Sequence, residues 1–222
     1  MEILLIGDPK VKAVSVEDDG NPFVDLEKSF PELHFDHSRE FVQKKSKSIS
    51  LGRQKVGELL VQAQRKLPDG MKFLIKECYR PLWIQREFFE GYLKHLADKY
   101  PSWTEDELYR ECSKLNAPID VAPHSTGGAV DLILIDGSGA PLDMGTRMNA
   151  KPIETDNATY TNARNISVLA KRNRSLLIEA LTAVGFVNYP TEWWHWSYGD
   201  KYWACLTEKP FAIYSSMEDF PT

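Results

Sequence analysis

The segment that most constrains the fold is APHSTGGAVDLILID, residues 122–136, in which a Ser-Thr-Gly-Gly turn runs straight into a strand at Asp131–Ile135. Alternation places Asp131 on the same face as Ile133 and Ile135, the face expected to be buried. A buried aspartate needs a partner, and a cation is a good one. The glycine turn can fold the chain so that His124 and Asp131, seven residues apart, point at one spot. The turn signal DGSG, Asp136 to Gly139, follows the strand.

The rest of the chain supplies the layers. From Leu51, the spacing Val56, Leu59, Leu60, Ala63 makes one apolar helical face, ended by Pro68, Asp69 and Gly70. MKFLIKECYR alternates as a strand, with Phe73 and Ile75 on one side and Leu74 on the other. Pro81 stops it and can open a helix whose buried side carries Phe88, Phe89, Tyr92, Leu93, Leu96 and Tyr100. Ser102 with Glu105, or Thr104 with Glu107, has capping-box spacing for a further helix to about Leu115. A long helix is expected from about Asn165 to Val184, stopped by Gly185. Strands are expected around Phe186–Tyr189 and Trp193–Tyr198, with a third near Tyr202. Helices in blocks and strands gathered late favour an α+β fold, a central antiparallel sheet with flanking helices.

With 222 residues, the chain is read as one domain, residues 1–50 wrapping a catalytic core at 51–222. A formal net charge of -5 argues against nucleic-acid binding. No window approaches the roughly 18 apolar residues of a membrane span, and the opening MEILLIGDPK lacks a basic n-region. Cys78, Cys112 and Cys205 form no CxxC pair and suit a reducing compartment, so a cytoplasmic location is expected.

Of the five histidines, His95 falls on a predicted helix and His34 and His37 in an irregular acidic loop. His124 and His195 have chemistry-bearing neighbours. Together with Asp131 they make two imidazoles and one carboxylate, the three-ligand pattern of a catalytic zinc site with a fourth position for water. The residues alone leave a second reading open, a hydrogen-bonded His–Asp pair beside an unrelated histidine. Glu192 stands three positions before His195 in TEWWHWSYGD, an acid among tryptophans. It can serve as base toward a metal-activated water without being a ligand. In a regular strand the two residues would face opposite sides, so Glu192 is expected in a turn or bulge after Pro190 and His195 on the strand. Arg80 lies where a strand gives way to a helix; it can stabilise an oxyanion or merely pair with an acid.

With these residues in view, the chain resembles the D-alanyl-D-alanine dipeptidases of the VanX type, zinc metallopeptidases of peptidase family M15 with a hedgehog/DD-peptidase fold. The family's His-x-x-Gly-x-Ala-x-Asp stands here as HSTGGAVD, its Glu-Trp-Trp-His as EWWH and its Tyr-Arg-Pro as YRP, over about Leu51 to Tyr198. The resemblance implies that His124, Asp131 and His195 bind one zinc ion, that Glu192 is general base, and that Arg80 polarises the scissile carbonyl. It implies a small dipeptide as partner; charge and hydropathy argue against nucleic acid and membrane as partners. Two departures fall in substrate recognition. Ala122 replaces a usual serine, and Asn149 stands where relatives tend to carry an aspartate that can pair with the substrate's amino group. Alternatives are a peptidoglycan stem-peptide carboxypeptidase or endopeptidase on the same fold, and an inactive zinc-stabilised binding module. Retention of Glu192 and Arg80 argues against the latter, since neither is needed to hold a metal.

Overall fold

A computed structural model of the protein describes residues 3–38 and 49–218. Of the expected N-terminal wrapping segment, residues 39–48 and the first two lie outside the described residues.

In chain order the elements are α1 (Pro9–Lys12), β1 (Ser15–Val16), β2 (Phe23–Asp25), α2 (Leu26–Ser29), β3 (His34–Phe35), β4 (Leu51–Arg53), α3 (Gln54–Gln64), β5 (Lys72–Glu77), α4 (Leu82–Lys99), α5 (Glu105–Ser113), β6 (Ala129–Ile135), α6 (Val168–Thr182), β7 (Val187–Asn188), β8 (His195–Ser197), α7 (Lys201–Leu206) and β9 (Phe211–Ala212). The main sheet has five strands in the order β3-β5-β6-β8-β7. Its β3–β5 pair is parallel and the other three pairs are antiparallel. Two smaller pairings, β1 with β9 and β2 with β4, lie outside it. The architecture is α+β with helices flanking a mainly antiparallel sheet.

All seven residues of β6 are buried, so both faces of the central strand are covered. One side is the main core, where Val56 and Leu60 of α3, Phe73 and Ile75 of β5, Leu132 and Leu134 of β6, Leu177 and Leu181 of α6, and Trp194 and Trp196 meet. Each such side chain stabilises the fold by about 1.5–3 kcal/mol relative to exposure. The alternation of Phe73 and Ile75 against Leu74 in β5 is as expected from its sequence, and Glu77 is buried as well. Between Ile75 and Glu77 the ladder to β6 shifts, a bulge that brings Glu77 opposite Asp131.

Element ends show where side-chain chemistry decides. The Thr104–Glu107 pair forms the capping box of α5, and Ser102 is not used. Helix α6 begins two to three residues later than its apolar spacing suggests, because the Ser167 hydroxyl accepts from the Ala170 amide and fixes the start. Pro81 takes the N-cap position of α4 rather than its first turn. One expectation needs correction: no strand forms near Tyr202. Asp200 accepts from the Trp203 amide and caps α7 there, and the strand ends at Ser197.

Candidate active site

Two turns carry the site. At His124–Thr126 a short 3-10 turn ends on Gly127 at φ 71°, a left-handed conformation that glycine adopts without Cβ strain. The Thr126 hydroxyl donates to the Pro123 carbonyl and accepts from the Gly128 amide, closing the turn on itself. The Ser125 hydroxyl donates to the Arg80 carbonyl, and the Arg80 amide donates to the His124 carbonyl. The loop that brings Arg80 and the turn that brings His124 are therefore one hydrogen-bonded unit.

The second turn joins β7 to β8. Glu192 N–H donates to the Tyr189 carbonyl, His195 N–H to the Glu192 carbonyl, and the Asn188 amide group to the carbonyls of both Glu192 and His195. Glu192 sits in this turn and His195 is the first residue of β8, the arrangement that lets residues three apart face one cavity. Trp193 donates from its indole to the Thr146 hydroxyl, and Trp194 is wholly buried in the core. The tryptophans are thus core residues that hold the turn.

His124, Asp131 and His195 converge. His124 Nε2 lies 3.1 Å from His195 Nδ1 and 3.3 Å from Asp131 Oδ1, and His195 Nδ1 lies 3.0 Å from Asp131 Oδ1. A tetrahedral zinc with bonds of about 2.0–2.1 Å separates its ligand atoms by roughly 3.3–3.4 Å, so this triangle has the size of one face of such a site. His124 Nδ1 lies 2.6 Å from the Cys78 carbonyl. Donation there leaves Nε2 with its lone pair toward the cluster. All three residues are buried. Burial opposes the Asp131 charge, but His124 and His195 outweigh it and hold the carboxyl well below the usual carboxylate range. Burial lowers the His195 pKa against the pull of Asp131, which favours neutral imidazole, the form that ligates a metal. This His–Asp–His group can hold a divalent ion.

The group forms the floor of a cavity of about 220 Å³ that Arg80, Gln85, Phe88, Asn149, Tyr189 and Glu192 also line. Burial drives the Glu192 carboxyl well above its ordinary pKa, Asp131 adds to this, and Arg80 opposes it. Arg80 is 9% exposed and keeps its charge despite burial, because Glu77, Asp131 and Glu192 offset the desolvation.

The remaining sequence-derived candidates divide. Asn149, at φ 60°, is an exposed residue on the cavity's edge. Ala122 is fully buried beside Pro123, and it is Pro123 that lines the cavity. His34, His37 and His95 lie outside the cavity lining, His34 beside the Lys72 ammonium and His37 beside Glu27. Sequence reasoning missed Glu77 and Gln85, the direct partners of Arg80. Glu77 follows Phe73 and Ile75 at alternate positions of β5, but the bulge turns it to the Asp131 side, so spacing along the strand carried no signal for it.

An α+β scaffold with a His–Asp–His group, a buried carboxyl and a fixed arginine around one small cavity defines a hydrolase-type site. The chain belongs to peptidase family M15, the D-ala-D-ala dipeptidase family, whose profile matches residues 26–215, and it is a peptidase. A D-alanyl-D-alanine dipeptidase of Synechocystis sp. (strain ATCC 27184 / PCC 6803 / Kazusa) is 28% identical over 167 residues, 65% of this chain and 68% of that protein. A D-alanyl-D-alanine dipeptidase of Escherichia coli (strain K12) is 34% identical over 104 residues, 45% of this chain and 52% of that protein. The LdcB LD-carboxypeptidase structure is 14% identical, with a TM-score of 0.46 over 89% of this chain and 77% of that one.

Proposed function

We propose that the protein is a zinc-dependent dipeptidase that hydrolyses D-alanyl-D-alanine or a closely related dipeptide in the cytoplasm, where its three unpaired thiols would stay reduced. The observation that carries the reading is the placement of Glu192 and Arg80 around the same cavity as the His–Asp–His group. Ligand residues alone would serve a structural metal; the added carboxyl and guanidinium are what amide hydrolysis needs. A divalent ion held by His124, Asp131 and His195 would act as a Lewis acid and acidify water.

The roles of the side chains follow from their chemistry. Glu192 takes the proton of the attacking water and passes it to the leaving amine; a carboxyl with a raised pKa suits both halves of that transfer. Arg80 faces the negative charge that develops on the carbonyl oxygen. A small cavity with aromatic and aliphatic walls suits a dipeptide better than a long wall peptide.

A panel of dipeptides differing in stereochemistry tests the reading, with zinc-loaded Glu192→Ala as the blank. Preferred cleavage of D-Ala-D-Ala is expected, and Glu192→Ala should keep its zinc while losing about 10²–10⁴ in kcat. Loss of zinc from that variant would refute its assignment as base. Cleavage of longer stem peptides in preference to any dipeptide would refute the substrate.

A further inference from the structure

Arg80 is held by an acid to which no role has been given. Glu77 is fully buried, and its two carboxylate oxygens accept from Arg80 Nε at 2.8 Å and Nη2 at 2.7 Å. Arg80 Nη1 donates to the Gln85 side-chain carbonyl at 2.8 Å, and Gln85 in turn donates to the Ala117 carbonyl at 2.6 Å. The Phe88 ring lies under the guanidinium, 4.9 Å from its carbon. A guanidinium has five N–H donors in a fixed fork. Three are engaged, which leaves one on each terminal nitrogen for the cavity that Arg80 lines.

Stability alone is a poor reason for this acid. Glu77 stands opposite Asp131 across the β5–β6 ladder, and like charges so placed are unfavourable. A buried ion pair is often no more stable than well-packed apolar residues of the same volume. What a carboxylate adds is orientation. Its bidentate grip fixes the plane of the guanidinium, while Phe88 and Gln85 fix its face and its far end. Without it, Arg80 would be a buried cation within the field of two other carboxyls, Asp131 and Glu192, whose charges it already senses.

We propose that Glu77 is a positioning residue for the reaction: it holds Arg80 in the geometry that meets the oxyanion and keeps it from collapsing onto Asp131 or Glu192. The proposal rests on the dipeptidase reading for its kinetic consequence but not for its geometric one. Glu77→Gln keeps the shape and replaces one acceptor with a donor that faces a donor. Its effect acts through Arg80, so it should vanish when Arg80 is absent.

The experiment measures Glu77→Gln, Glu77→Asp, Arg80→Ala and the double variant Glu77→Gln/Arg80→Ala as zinc-loaded full-length proteins, with dipeptide kinetics, zinc content and the NMR signal of the Arg80 Nε–H. Expected is a 10- to 100-fold fall in kcat for Glu77→Gln with KM within about threefold and zinc retained. Glu77→Asp should recover part of the loss. The double variant should match Arg80→Ala in kcat/KM, where a purely structural role would add a further loss. An exchange-protected Nε–H in the parent protein should become labile in Glu77→Gln. Unchanged kcat, additive losses, or an Nε–H indifferent to Glu77 would each overturn the proposal. If the parent protein cleaved no dipeptide, the functional reading would fall, and the NMR comparison would still decide whether Glu77 orients Arg80.

Discussion

Arg174 offers the sharpest test of how the site is framed. Its side chain is 2% exposed and donates to the carbonyls of Met144 at 2.8 Å, Tyr160 at 2.6 Å and Ala158 at 2.9 Å, with its guanidinium 5.6 Å from the Trp193 ring. These carbonyls stand near the two ends of the loop that carries Asn149 to the cavity edge. Three hydrogen bonds from a charged donor are worth about 1.5–3 kcal/mol each, a gross contribution of roughly 4–9 kcal/mol. Part of that is offset, because burial pulls the Arg174 pKa down to about 10 and so marks the charge as costly, with Asp143 opposing. Arg174→Met keeps the packing, removes the cost and takes the guanidinium donor from the Met144 and Ala158 carbonyls, while the Tyr160 carbonyl keeps the Ala163 amide. The net expected loss is about 2–4 kcal/mol, read from urea denaturation at constant slope. With the loop loosened, KM should rise severalfold while kcat changes less. A stability within about 0.5 kcal/mol of the parent would refute the reasoning, since it would mean that water serves the loop carbonyls as well as the guanidinium does.

Other outcomes are equally specific. His195→Ala should abolish stoichiometric zinc in elemental analysis, and a full site would remove His195 from the ligand set. Gly127→Ala should cost more than about 2 kcal/mol in a thermal melt, because a Cβ there meets the Phe23 ring at 2.2 Å and φ is 71°; a neutral effect would show that the turn can relax. Asp18 is lowered to about 2 because the Ser215 hydroxyl and amide, the Gly20 amide and Arg53 outweigh its desolvation. Its folded pKa lies below the unfolded value, so it stabilises the protein above about pH 4 and loses that contribution as pH falls toward 2. With partial exposure discounted this amounts to about 1 kcal/mol. The stability gap between the parent and Asp18→Asn should close over that range, and a gap independent of pH would contradict it. Asn149→Asp should raise kcat/KM severalfold for dipeptides with a free α-amino group, and unchanged kinetics would mean that the amino end is read elsewhere.

What could be read from the sequence was whatever periodicity and spacing encode locally. The apolar faces of α3 and α4, the inward Phe73 and Ile75, the glycine stop after α6 and the turn at Glu192 all follow from rules that act within a few residues. The misses have two causes, cap chemistry and pairing between distant strands. The start of α6 was set by a hydroxyl, Ser167, and not by an apolar repeat. The aromatic residues after Ser197 read as a strand, yet Asp200 caps a helix there, and cap chemistry overrode β propensity. Pairing across the sheet is non-local, so the bulge that sets Glu77 opposite Asp131 had no signature in either strand alone.

The same distinction separates the parts of the site. His124, Asp131, Glu192 and His195 could be nominated because each stands out from its immediate neighbours: an acid on a buried strand face, another among tryptophans, imidazoles next to tight turns. Glu77, Gln85 and Arg174 could not, because their meaning lies in which group they touch. Glu77 reads as an ordinary strand acid until the fold turns it inward onto Arg80. Arg174 reads as a surface cation of an amphipathic helix until the loop of residues 144–161 closes over it with its carbonyls. Residues that would touch substrate or metal are thus chosen for intrinsic chemistry, which a sequence displays. Residues that hold those groups in place are chosen for geometry, which only the assembled fold displays. A substitution screen guided by motif alone would therefore sample the reacting groups and overlook the buried ion pair and the carbonyl clamp, whose loss should be felt in kcat and KM with the entire His–Asp–His group intact.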